Sequence, residues 1–487
     1  MPSRTGKPRA YASASPCGSA STLARRTALC CWLLLSGLAF PATASAHGIV
    51  GKADLPIPVW LFSWAAAIVL VVSFVALSTL WLTPKLQTET PRRLFAIPCA
   101  LAPLASAFGL GVFALVVYSG FAGAQAANAN FAVTFIYVVF WVGLPVLSLV
   151  FGDFFAALSP WRTFARCLLW LMPPRMRAAR RYPSWLGTWP AVIGLAGFGW
   201  LELVYLERDV PSTLAALSLG YFAAMVTGML TFGVEQWSEH GDGFAAYFSL
   251  VARLSPLAYR DCAVYVRRPL SGAPGLPIVP GTVALVCTII GTTTFDGLSN
   301  GGYWKELAST LVEGLTSIGL NQSAAVELVF SFGLLGCIVM VAGVYRLGVG
   351  GLRTVSSRYS QAELSRRFVH TLLPIAIAYV LAHYFSFVIW QGQAMRYLIS
   401  DPLGNGANVF GTASTQIDYT IISYAAIWYV QVAALLLGHV GGLALAHDRA
   451  LAIYRSSEDA IRSQYWMLGV MVAFTSFGLW LLSAVGT

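Results

Sequence analysis

Charge is scarce in this sequence. Only 10% of its 487 residues are Asp, Glu, Lys or Arg, against roughly 25% in an ordinary soluble domain. That cannot cover the water-facing surfaces of the two or three soluble domains this length would allow. A soluble enzyme, a disordered chain and a nucleic-acid binder are thereby excluded. Metal and redox signatures are also missing: no CxxC, HxH or HExxH string occurs, so no zinc site announces itself. There is no Walker-type phosphate loop, which argues against ATP-driven transport, and no internal repeat. Of the eight cysteines, Cys17, Cys30 and Cys31 precede the first long apolar run and most others lie within such runs. They read as small buried hydrophobes and suggest no disulfide framework.

What the chain has is apolar length: 57% of residues are hydrophobic and the mean hydropathy is +0.70. Residues 1–46 show the three parts of a cleaved signal peptide. Arg4, Lys7, Arg9, Arg25 and Arg26 form the basic part, Ala28–Phe40 the apolar part, and Ala44 and Ala46 the small-residue positions before the cut. The mature chain, 47–487, would then begin at His47, outside the cytoplasm, as a single multi-span domain. Ten segments are long enough to span a bilayer, at about 59–82, 97–119, 131–151, 188–206, 213–234, 277–295, 326–349, 371–393, 421–446 and 465–485. The expected fold is all-α, a polytopic integral membrane helix bundle.

The +10 net charge follows from this topology. With an exported N-terminus, the loops placed inside hold 21 of the 30 basic residues, the outer loops hold only Lys52, Arg208, Lys305 and Arg396, and the remaining five lie in the leader. This is the positive-inside bias of an inner-membrane protein with a periplasmic N-terminus. Two inner loops are long. The one from Ser159-Pro160-Trp161-Arg162 to Arg181 mixes aromatics with arginines, as an amphipathic helix on an anionic membrane face does. The outer loops at about 296–325 and 394–420 are also long, so Asp296 and the Asp401–Asn408 turn are expected at the outer mouth.

Ionisable side chains inside spans are costly and by default functional. Together with polar glutamines they gather in the last third of the chain: His383, Gln391, Gln431, His439, His447 and Asp448. At 1.5 Å per residue, His383 and Gln431 lie nearly level on antiparallel spans. His439 and His447 are eight apart, about 80° on a helix, and share a side. Gly438, Gly441 and Gly442 let a neighbouring helix come close. Each histidine could equally serve as interhelical polar glue. Glu202, near the outer end of the fourth span, is a further isolated candidate. His47 offers an imidazole and a free amine, a ligand pair for copper or another borderline metal.

The chain resembles a family of bacterial polytopic membrane proteins that includes the membrane-bound fenitrothion hydrolases. The resemblance rests on Ala46-His47-Gly48, Ser159-Pro160-Trp161-Arg162 and Phe295-Asp296-Gly297-Leu298-Ser299-Asn300, then on His383-Tyr384-Phe385-Ser386 and Gly438-His439 through Ala446-His447-Asp448-Arg449. It covers nearly the whole mature chain. It implies hydrolysis of an organophosphorus triester at its aryl P–O bond. The residues suggest how: a divalent metal held by His383, His439 and His447 would lower the pKa of a bound water and polarise the phosphoryl oxygen. Asp448 would be the base or supporting carboxylate, with Gln431 beside it. The partners expected are membrane lipid and a small hydrophobic substrate, with a companion subunit or oligomer left open. Three rivals stand beside this reading. A transporter is the ordinary expectation for buried polar residues in ten spans. A haem protein is suggested by His370 and His383, thirteen apart, although His439 and His447 do not repeat that spacing. Copper handling would centre on His47, without a methionine-rich export motif.

Overall fold

The computed structural model describes residues 59–173, 179–355 and 358–484. The signal-peptide and His47 expectations lie outside the described residues. Helices dominate, and eight of them are long and apolar enough to cross a membrane. The elements used below are α1 (Val59–Leu80), β1 (Arg92–Ala96), α2 (Leu101–Ala122) and α3 (Phe131–Phe151), whose middle, Phe135–Gly143, is wound as a π-helix. Then follow α4 (Pro160–Leu171), α5 (Trp189–Leu203), α6 (Pro211–Phe232), α7 (Gly243–Ala252), β2 (Leu257–Arg260), β3 (Ala263–Val266) and α8 (Thr282–Ser299). The chain continues with α9 (Gly302–Ser317), α10 (Gln322–Gly350), α11 (Leu373–Gln391), α12 (Tyr424–Ile453) and α13 (Ser457–Ala484).

The ten expected spans all fall on helices, with three informative differences. The fourth, α5, is only 15 residues long, about 22 Å at 1.5 Å per residue and short of a ~30 Å hydrocarbon core. Its last turn carries Glu202. The sixth, α8, runs on through Asp296 to Ser299, so Asp296 belongs to a helix and not to the outer loop where the hydropathy pattern put it. The tenth, α13, starts at Ser457 and carries Glu458, Asp459 and Arg462 in its first two turns, a polar extension that hydropathy does not mark.

At the arginine-rich end the loops form a small antiparallel sheet in the order β1-β3-β2. The β2–β3 hairpin pairs Arg260 with Ala263 across two residues, Asp261 and Cys262, both with positive φ (49° and 53°), as a type I′ turn requires. Glu89 accepts from Arg260 at 2.9 Å and from Arg267 at 2.7 Å, tying the sheet to the segment after α1. A disulfide joins Cys99 to Cys262, which corrects the expectation that no cysteines pair. Cys99 falls at the edge of an expected span but precedes α2, Cys262 sits in the β2–β3 turn, and only folding brings these two distant segments together. Cys287 and Cys337 are buried in helices as expected, whereas Cys167 is exposed.

The α11–α12 pair forms the centre of the C-terminal half, and its close approach depends on glycine. A Cβ at Gly438 would sit 2.2 Å from the Ala378 Cβ and 2.7 Å from the Pro374 carbonyl oxygen, and one at Gly442 would sit 2.8 Å from the Thr371 carbonyl oxygen. The role expected for these small residues is thus met by α11. Gly438→Val should destabilise the protein by about 1–3 kcal/mol through overpacking. Gly469→Ala, where a Cβ meets nothing within 4 Å, should change the unfolding temperature little.

Candidate functional site

Four helices place polar groups around one buried point. From α8 comes Asp296, from α11 His383 and Tyr384, from α5 Glu202, and from the π-wound part of α3 Trp141. Each lies in a largely apolar helix, so the cost of burying them is met in good part by their contacts with one another. His383 Nε2 and Asp296 Oδ2 are 2.8 Å apart, with 15% and 13% of the two side chains exposed. That hydrogen bond fixes the imidazole: Nε2 carries the proton donated to Asp296, and Nδ1, which makes no hydrogen bond among the described residues, is left as the basic nitrogen. The pair is closed from bulk water yet not sealed.

Tyr384 donates to Glu202 Oε1 at 3.3 Å, and its ring stands edge-on to His383 at 4.8 Å between centroids. Glu202 Oε2, Trp141 Nε1 and Tyr247 Oη are buried with no hydrogen-bond partner among the described residues. The Trp141 and Tyr247 rings lie 5.3 Å apart between centroids, tilted by 47°, beside Glu202. Arg208, just past α5, brings positive charge towards both carboxylates, and its carbonyl accepts from Tyr137 Oη at 2.9 Å. The π-helix matters here. One extra residue per turn re-aims successive side chains, and such bulges recur at functional sites.

The other expected site residues do not join this point. His439 and His447 were expected to share a metal with His383, but each is engaged elsewhere. His439 Nδ1 bonds its own helix at the Leu435 carbonyl, 2.8 Å away. His447 Nε2 lies 2.9 Å from the Trp81 carbonyl, and Gln464 Nε2 lies 3.2 Å from its Nδ1. The physical reason is axial: eight residues give a shared helical side but also about 12 Å of rise, far beyond what one ion bridges. Asp448 is structural as well. Its carboxylate accepts from Trp81 Nε1, the Lys85 and Leu86 amides and Gln87 Nε2, which pins the segment leaving α1. Gln391 and Gln431 are half-buried, and neither hydrogen-bonds the His383–Asp296 pair. Among the described residues no group of three or more His, Cys, Asp or Glu side chains is placed to hold a metal ion. Among the described residues, His383, His439 and His447 do not converge on one ion.

The Ser159-Pro160-Trp161-Arg162 string has a local explanation. Ser159 caps α4 by accepting from the Arg162 amide, and Pro160 takes the first helical position, where its missing N–H costs nothing. Trp161 Nε1 donates to Asp242, which also accepts from Tyr221 Oη at 2.8 Å and caps α7 through the Phe244 and Ala245 amides. Burial lifts the Asp242 carboxyl above its ordinary range, although these four donors pull the other way. At the outer end, Asp401 accepts from the Asn405 and Gly406 amides. The Pro402 and Leu403 carbonyls then take the Phe131 and Ala124 amides, so this turn packs over the start of α3. Sequence reasoning missed Trp141 and Tyr247, since buried aromatics carry no signal among 16 Trp and 20 Tyr.

Compared with known protein families, curated proteins and solved structures, the chain gives no match.

Proposed function

We propose that the protein is an inner-membrane hydrolase of apolar organophosphorus triesters, its mature N-terminus periplasmic, with His383 as general base and Asp296 as the residue that orients it. The observation that carries this reading is the 2.8 Å His383–Asp296 hydrogen bond inside an apolar bundle. An imidazole whose Nε2–H is held by a carboxylate presents Nδ1 as a base and gains stabilisation when it becomes imidazolium. In the proposed reaction Nδ1 takes a proton from water, the water oxygen bonds to phosphorus, and the aryl P–O bond breaks. The phenolate leaves with the electron pair, and the imidazolium proton is later returned to solvent. Trp141 supplies an N–H donor for the phosphoryl oxygen as negative charge develops on it, and Tyr384 adds its O–H by turning from Glu202. A triester is uncharged, partitions into the bilayer and reaches a site at this depth without crossing water.

The test uses membranes from cells with and without the chain, given a nitrophenyl phosphotriester. Nitrophenolate release that depends on the chain supports the reading, and its absence with folded protein present rejects it. A second reading, proton-coupled transport, is favoured by the unpaired Glu202 Oε2 beside a second carboxylate and an imidazole on separate helices, the make-up of a proton relay. Gradient-driven uptake of intact ester, without product, would select it.

The orientation can be tested through the disulfide. Cytoplasmic thiols are kept reduced, and Cys99 and Cys262 belong to the arginine-rich end. If that end is cytoplasmic, the bridge seen in this structure should be open in growing cells, with both residues free thiols that pair only on oxidation. Maleimide should then label them only after the inner membrane is permeabilised. A bridge already formed in intact, rapidly acid-quenched cells would instead place this end in the periplasm.

A further inference from the structure

A cavity of about 1000 Å³ lies among α2, α3, α4, α5, α6 and α7. It is separate from the His383–Asp296 pair. Phe140 and Leu201 face it, while their chain neighbours Trp141 and Glu202 belong to the polar cluster. Its lining is almost wholly apolar, and three features say what it takes.

The first is that its space depends on missing side chains. Gly197 of α5 and Gly220 of α6 line the cavity, and a Cβ added at either would meet nothing within 4 Å. Elsewhere in the same bundle glycine serves the opposite purpose: at Gly199 a Cβ would lie 2.6 Å from Thr292 Cγ2. The second is a sideways opening. Phe108, Ile193 and Leu217 line the cavity and are 66%, 70% and 46% exposed, on helices apolar enough to face lipid. The third is charge at one end. Pro160 and Trp161 line the cavity where α4 begins. Next to them Arg162 and Arg166 both pair with the carboxylate of Glu235, and the Asp153 carboxyl lies within electrostatic reach of Arg162. Arg162 Nε is buried with no hydrogen-bond partner among the described residues. Exposed Arg180 is tied to the end of α6 by its amide, which donates to the Thr231 carbonyl. From Thr231 to Ser218 is about 20 Å along α6, more than the ~15 Å depth of one leaflet.

We infer that this cavity seats one acyl chain of an anionic phospholipid drawn from the leaflet on the arginine-rich side, with the lipid phosphate on Arg162, Arg166 and Arg180. The charge at the rim selects the headgroup, since a phosphate is matched by guanidinium donors and a zwitterion adds a repelled ammonium. The assignment does not rest on the hydrolase reading.

The test reconstitutes the full chain into bilayers holding either phosphatidylglycerol or phosphatidylcholine with a photoreactive diazirine near the chain end, and maps adducts by mass spectrometry. With phosphatidylglycerol, adducts should concentrate on 193–201 and 217–224 above the level on Phe332 and Leu335, which are exposed residues of α10. Gly197→Leu with Gly220→Leu should bring cavity labelling down to the α10 level. Arg162→Gln with Arg166→Gln should do the same. Equal cavity labelling by phosphatidylcholine in the unaltered protein overturns the proposal, and that comparison needs no variant to fold. Labelling indifferent to a leucine pair that unfolds at the usual temperature would also overturn it.

Discussion

His383→Ala should lower turnover of a nitrophenyl phosphotriester by about 10²–10⁴-fold per folded molecule, the usual contribution of a positioned general base. Asp296→Asn should cost a similar amount, because an amide no longer holds the proton on Nε2 or stabilises the imidazolium. Adding one change to the other should cost little more, since two parts of one device are not additive. A purely structural pair behaves differently. Losing one interhelical hydrogen bond costs roughly 0.6 kcal/mol, and turnover per folded molecule would be kept. Activity normalised to folded protein, measured by size-exclusion recovery and thermal unfolding, separates the outcomes. His439→Ala is the internal contrast: its one hydrogen bond among the described residues is to its own helix, so it should retain near-full turnover.

Asp448→Ala should do the reverse, destabilising the fold and sparing the chemistry. The carboxylate is fully buried and takes four donors from 81–87. A hydrogen bond to a charged group is worth about 1.5–3 kcal/mol, and a stranded buried donor costs a further ~1–3 kcal/mol. A loss of at least about 3 kcal/mol and poor recovery of folded protein are expected, with Asp448→Asn milder because one acceptor oxygen remains. Unaltered unfolding with turnover abolished would return Asp448 to a catalytic role.

The spans were legible because a lipid-facing helix needs an uninterrupted apolar run, and each of the ten falls on a helix. The sheet was not, since its strands are four or five residues long and show no sustained alternation. The Cys99–Cys262 bridge depends on two loops 163 residues apart, which no local pattern encodes. For the site, His383 and Glu202 were visible as ionisable groups in apolar runs, but Trp141 and Tyr247 were not, nor was the grouping. A span ended at 295 in the hydropathy reading, one residue before Asp296, and so placed the partner of His383 in a loop. Angular position alone put His439 and His447 together, while the rise along α12 separates them. Glu202 stood isolated in the sequence because Tyr384 and Trp141, which surround it, come from other helices.

The most direct measurement is a single-turnover reaction of purified protein with a nitrophenyl phosphotriester in ¹⁸O-labelled water. If water activated by His383 attacks phosphorus, the label appears in the phosphodiester in the first turnover, and the nitrophenolate carries none. Label in the nitrophenolate, or an unlabelled diester in that first turnover, would contradict the account.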